Sequence, residues 1–145
     1  MSSMMTVKTD PKCNVCGFGL FLPIKSLSVS NLGLYDDARF PGRCILTLNQ
    51  HYDNMLDVPA EAMASFLEDA RISIKAIMDS TDCERVNFAI LGNRESHVHA
   101  HLIPRYPAEE EFPDCSPWND PREKDGLSKD DRDAIMSKIA VMTSR

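Results

Sequence analysis

The sequence predicts an α+β fold: a five-stranded, mainly antiparallel sheet with one long helix and a C-terminal helix. Three observations lead there. Several apolar runs have strand length and are joined mostly by short turns. One stretch, 59–80, repeats apolar residues at three- and four-residue spacing. A weaker stripe of the same period closes the chain. At 145 residues the chain has the size of one domain with a real core.

In chain order, residues 1–12 read as a flexible N-terminus. The run 18–24 (FGLFLPI) reads as a strand or an extended entry, and 26–36 (SLSVSNLGLYD) as a strand. Pro41-Gly42 marks a turn. In the next strand, 43–50, Cys44, Leu46 and Leu48 share one face, and Ile45 and Thr47 share the other. Pro59 suits the first helical turn, where its missing N–H costs nothing. Met63, Phe66, Leu67, Ala70, Ile74, Ile77 and Met78 then form the apolar stripe. A strand over 86–93 stops at Gly92-Asn93, and one over 97–103 stops at Pro104. Residues 107–126, with their run of three glutamates at 109–111, read as a surface loop. Ser128 and Asp131 resemble a capping box ahead of a last helix to about Thr143.

Composition narrows the function. The formal net charge is −6, whereas binding to polymeric nucleic acid draws on Lys and Arg to neutralise phosphates. A small nucleotide needs only a local pocket and stays open. No apolar run is long enough for a membrane helix, and the first residues carry no signal-peptide core. Five cysteines without an export signal point to reduced thiols in the cytoplasm.

The chemistry-bearing segment is His97-Val98-His99-Ala100-His101-Leu102-Ile103. Alternate residues of a strand share a face, so the three imidazoles point one way and Val98, Ala100 and Leu102 the other. Three of the chain's four histidines lie here. Such a row suits a metal site or nucleophilic and acid–base work near neutral pH. The plain alternative is a solvated polar face.

This stretch, apolar residues alternating with three histidines, resembles the signature of the histidine triad family. Residues 46–51 (LTLNQH) ahead of the long helix, 89–93 (AILGN) and 103–106 (IPRY) resemble segments of the same family. Gly42-Arg43-Cys44 and Pro117-Trp118 resemble a bacterial-type subgroup. The resemblance spans residues 13–120, which makes these the catalytic domain and 121–145 a C-terminal extension.

The resemblance implies a homodimer that hydrolyses or transfers nucleotides at the α-phosphate, with dinucleoside polyphosphates or adenosine phosphoramidates as substrates. It implies His99 as nucleophile, forming a nucleotidyl-histidine, with His101 on the phosphate oxygens and His97 orienting the site. Asn93, Ser96 and Asp37 become candidate substrate contacts, with Asp36 an alternative to Asp37 for the ribose. The usual Gly-Gln-Ser/Thr stretch before the triad is replaced by Arg94-Glu95-Ser96. Phe112, Pro113 and Trp118 are candidates to cover a partner's site, against the reading of a plain loop. No cofactor is required for the chemistry. Cys13 and Cys16 form a zinc half-site that His51 and His97 complete in some bacterial relatives, so a structural zinc is a further expectation. Two rival readings remain: a zinc-dependent hydrolase using the histidine row as ligands, and a nucleotide-binding module without turnover.

Overall fold

The computed structural model describes residues 12–20 and 22–144; the expected flexible start lies almost wholly outside them. Five strands form one antiparallel sheet: β1 (Pro23–Ser26), β2 (Ser30–Leu34), β3 (Cys44–Leu48), β4 (Arg85–Ala89) and β5 (His99–Arg105). Their order is β1-β2-β3-β5-β4. Helix α1 (Ala60–Ser80) crosses one face, and α2 (Lys129–Met142) packs on α1 and β1.

Alternation along the strands builds the core. Leu32, Leu34, Cys44, Leu46, Leu48, Ala100 and Leu102 are buried with Phe66, Ala70 and Ile77 of α1. The register sets Ile45 opposite His101 and Thr47 opposite His99, so those residues share the other face with the histidines. Gly42, at φ 96°, makes the turn into β3, a conformation that costs glycine little.

Several elements differ from the sequence expectation. Leu67 and Met78 of the predicted stripe are 48% and 41% exposed, while Asp69 and Ser73 are buried. The Asp69 carboxylate accepts hydrogen bonds from Ser28 N (3.3 Å) and Oγ (2.7 Å), Val29 N (3.0 Å) and Ser30 Oγ (2.6 Å). It thereby satisfies the donors of the β1–β2 turn, and that turn splits the strand expected over 26–36. A buried carboxylate is tolerated when its oxygens are filled in this way.

Pro104 does not end β5, which continues to Arg105. The Val98 carbonyl accepts from Leu48 N on the β3 side, and the Arg105 carbonyl accepts from Glu84 N beside β4. Even-numbered residues of β5 therefore turn their backbone polar groups toward β3. That ladder has already ended at Cys44 and Leu102, so the missing N–H of Pro104 removes no ladder bond.

Glu110 is buried rather than solvated. Its carboxylate pairs with Arg105 (2.7 Å) and accepts from Tyr106 N (2.6 Å). Ser128 caps α2, its Oγ accepting from Asp131 N at 3.1 Å. No helix among the described residues is long and apolar enough to cross a membrane.

Candidate active site

The site is a row of imidazoles on the open face of the sheet, and the partner of each ring decides which nitrogen carries its proton. A carbonyl oxygen only accepts, so the ring nitrogen facing it must donate. His99 Nδ1 lies 2.7 Å from the His97 carbonyl. Nδ1 therefore holds the proton, and the Nε2 lone pair is free. His97 Nε2 lies 2.7 Å from the Leu48 carbonyl, which leaves the lone pair of His97 on Nδ1. His101 is the opposite case. Its Nδ1 faces Arg43 Nη2 at 3.5 Å, and a guanidinium has donors only. His101 Nδ1 thus keeps the lone pair, and Nε2 bears the hydrogen.

The surroundings set the charge. Burial lowers the His101 imidazole to about 4, with help from the positive Arg43 and Lys124. His99 is nearly buried, at 7% exposure, and Phe18 lies stacked over both His99 (5.0 Å between centroids) and His97 (5.5 Å). Trp118 stands edge-on to His101 at 5.2 Å. Of the Pro-rich loop, Trp118 thus stands against the histidine row of its own chain.

A cavity of about 170 Å³ opens on His99, lined also by His97, Ser96, Gly92, Asp53 and Met55. A larger one, about 550 Å³, lies by Cys13, Phe18, Asn31, Thr47 and Asn49 and does not include His99. The smaller cavity is therefore the one in contact with the nucleophile candidate.

Of the other predicted contacts, Ser96 lines this cavity and donates to Asp53 Oδ1 at 3.0 Å. Asn93 is exposed in the same loop. Asp37 is only 1% exposed. Its Oδ1 accepts from Arg39 N (3.1 Å) and Nε (3.0 Å), and its Oδ2 from Arg39 Nη2 (2.8 Å) and Arg43 Nη1 (2.9 Å). Burial opposes ionisation there, yet the Arg39 and Arg43 contacts win and hold the carboxyl below its ordinary range. A ribose contact at Asp37 would share these oxygens with two guanidinium groups. Asp36 instead anchors the start of α2, accepting from Leu127 N at 2.9 Å.

At the far end of the row, Cys13, Cys16, His51 and His97 bring their ligand atoms within 4.8 Å of one another. Cys13 Sγ is 3.6 Å from His51 Nδ1, and Cys16 Sγ is 3.5 Å from His97 Nδ1. A tetrahedral zinc with its usual bond lengths needs sulfur and nitrogen about 3.5 Å apart, so the donor set fits. Both rings have their outer nitrogen engaged, His97 with Leu48 and His51 with Asp53 Oδ1 at 2.8 Å; such outer partners aim the inner lone pairs at a metal. The Cys16 amide, with other donors, holds the Cys13 thiol down to about 6. Gly17, at φ 76°, closes the turn by donating its N–H to the Cys13 carbonyl at 2.9 Å.

No protein-family model and no curated protein matches this chain. Solved structures do. A histidine triad protein from Marinobacter aquaeolei superposes with a TM-score of 0.74 at 18% identity, over 84% of this chain and 88% of that one. A zinc-bound histidine triad family protein from Mycobacterium smegmatis gives 0.60 at 16%, over 84% and 86%. A diadenosine triphosphate hydrolase from Plasmodium falciparum gives 0.54 at 18%, over 94% and 85%. The chain has the histidine triad fold.

Within this histidine triad fold, sequence reasoning missed Arg43, Tyr35, Phe18 and Asp53 as parts of the site. Arg43 carried a usable signal. It shares strand parity with Ile45 and Thr47, and hence the face of the histidines once β3 is paired with β5. Phe18 and Tyr35 carried none, because nothing local says that these segments fold back over β5.

Proposed function

We propose that this chain is a nucleotide hydrolase or nucleotidyl transferase that works at the α-phosphate through a covalent nucleotidyl-His99. The observation that carries the reading is the tautomer of His99: the His97 carbonyl holds its Nδ1–H, which leaves the lone pair on Nε2 of a ring that lines the cavity. A neutral imidazole is a competent nucleophile near pH 7.

In the first step Nε2 attacks the α-phosphorus. The P–N bond forms, the bond to the leaving group breaks, and its electron pair departs with that group. Water then attacks the same phosphorus, the P–N electrons return to His99 Nε2, and the proton of the attacking water passes to solvent. His101, neutral and carrying Nε2–H, donates to a non-bridging oxygen and stabilises the charge of the transferring group. Ser96 and Asn93, on the loop beside the cavity, are the proposed phosphate contacts, and Asp37 is the proposed anchor of the nucleoside end. His97 orients the row through the Leu48 carbonyl. Dinucleoside polyphosphates and adenosine phosphoramidates are the substrate classes, and the hydrolase among the similar structures favours the first.

A structural zinc is part of the proposal, held by Cys13, Cys16, His51 and His97. When bound it would tie the segment 13–16 to the start of the histidine row. With four protein ligands it has no position left for water, which disfavours the reading of a zinc-dependent hydrolase. A homodimer is proposed as well. β4 pairs only with β5 among the described residues, and Phe88 and Leu91 beside its open edge are 39% and 49% exposed. Light scattering on the purified chain is expected to give twice the 16.3 kDa subunit mass; a monomer at micromolar concentration would refute the dimer.

The reaction is tested by quenching the enzyme during turnover of a labelled dinucleoside polyphosphate. A labelled nucleotidyl-protein that is lost in His99→Ala is expected, with turnover down at least about a thousandfold. Full turnover in that variant would remove the proposal. Binding without turnover by the native chain would favour the rival binding module.

A further inference from the structure

Arg43 is the most buried cation at the site, at 3% exposure. Its guanidinium lies 3.9 Å from the centroid of Tyr35 and 5.7 Å from that of Trp118. Nη1 donates to Asp37 at 2.9 Å, and Nη2 faces His101 Nδ1 at 3.5 Å. Nε is buried and has no hydrogen-bond partner among the described residues. A buried donor left unpaired costs free energy, so the group is held here by the contacts of its other two nitrogens and of its flat face.

We propose that Arg43 is a positioning residue which sets the tautomer of His101, forcing the ring proton onto Nε2 so that it points as a donor at the phosphoryl group beside His99. Adjacent rings of one strand then carry opposite tautomers. His99 receives its tautomer from the residue just ahead of its strand, through the His97 carbonyl, whereas His101 has no such carbonyl contact among the described residues and depends on Arg43, just ahead of β3. A bare imidazole distributes its proton between both nitrogens. A guanidinium, with no acceptor and no accessible deprotonated form, removes that choice. Asp37 and Tyr35 hold the guanidinium in place, one by its charge and the other by stacking. The charged and titratable groups facing His101 are Arg43, His99, Lys124 and Tyr35, of which the cations Arg43 and Lys124 oppose a second proton on the ring. The tautomer itself does not depend on the proposed reaction; only its kinetic consequence rests on that reading.

The first test needs no variant. Long-range ¹H–¹⁵N spectra of the native chain are expected to show His101 Nδ1 as an unprotonated, pyridine-like nitrogen and Nε2 as the protonated one, with the reverse pattern at His99. A proton on His101 Nδ1 would overturn the assignment, whatever the enzyme does. In Arg43→Met, where the cation is lost, the two His101 tautomers are expected to mix and the ring to titrate at higher pH. With a dinucleoside polyphosphate, kcat is expected to fall at least about tenfold while KM moves less than about threefold. The acid limb of the profile should move upward, and Arg43→Lys should restore part of the loss. A folded Arg43→Met with native kcat, pH profile and His101 spectrum would refute the role. If Arg43→Met does not fold, the native spectrum decides. If the native chain turns over no nucleotide, the reaction fails and the spectra still judge Arg43.

Discussion

The two ends of the histidine row are built from the same side chain and do opposite things. At the His97 end, two imidazole lone pairs and two thiols converge within 4.8 Å, an arrangement of acceptors that attracts a cation. At the His101 end a cation is already present, the guanidinium of Arg43, and the ring lone pair is turned toward it. His99 lies between them with its tautomer fixed by backbone. The contrast shows that strand position alone does not assign a histidine its task. The partner on its inner nitrogen does.

The largest effect is expected when the Cys13–Cys16 end of the row is dismantled. Cys13→Ser is expected to take zinc content from about one ion per chain to near zero. The melting temperature should fall with it, because a ligand that binds only the native state adds to folding stability; each kcal/mol lost corresponds to about 2–8 °C for chains in this size range. Elemental analysis and thermal melts on chain purified without chelator check both. If the native protein carries no metal, the cluster reverts to reduced thiols and neutral rings, and the His99 reaction stands unaffected.

A milder cut at the same end removes only an outer partner. Asp53→Asn leaves all four ligands but replaces the carboxylate that now accepts from His51 Nε2. Zinc affinity is expected to drop about 10–100-fold, read by competition with a chromogenic chelator. Ser96 also donates to Asp53, so the loop beside the His99 cavity should loosen too, and KM for the proposed reaction is expected to rise modestly. Unchanged zinc affinity would show that His51 does not need this support.

The other end is sharpened by pH. The folded chain holds the His101 ring at about 4, below the ordinary value near 6.5, with burial the largest cause. The unfolded chain therefore binds a proton below about pH 6.5 that the folded chain refuses until about pH 4. Stability from this group is full above pH 6.5 and is lost as the pH falls toward 4. Urea unfolding followed across that window should show a slope that His101→Gln reduces. An identical slope in the variant would mean that other groups account for it. This is the smallest effect expected, since several carboxylates titrate nearby.

Much of the fold was legible because it rests on short-range periodicity. The alternation Cys44, Leu46, Leu48 and the run Phe66, Ala70, Ile77 name the two sides of the core directly, and all six are buried. The errors came where a polar group found a distant partner. Asp69 is no part of the apolar stripe read from the sequence, and its burial shows only once the Ser28–Ser30 turn is placed against it. Glu110 reads as one of three loop glutamates until Arg105 is seen beneath it. Pro104 reads as a strand terminator until the end of the β3 ladder is known.

The chain's own order of residues determined that three imidazoles share one face, that the opposite face is apolar, and that the whole is an α+β sheet with a long helix. These follow from the two-residue period of strands and the 3.6-residue period of helices, which are local geometry. Only the tertiary structure decided which nitrogen of His97 and of His101 holds its proton. That choice depends on one donor or acceptor supplied from elsewhere: Leu48 and Cys16 for His97, Arg43 for His101. Such contacts join residues dozens of positions apart, and they exist only once β3, β5 and the segment 13–18 have been brought together.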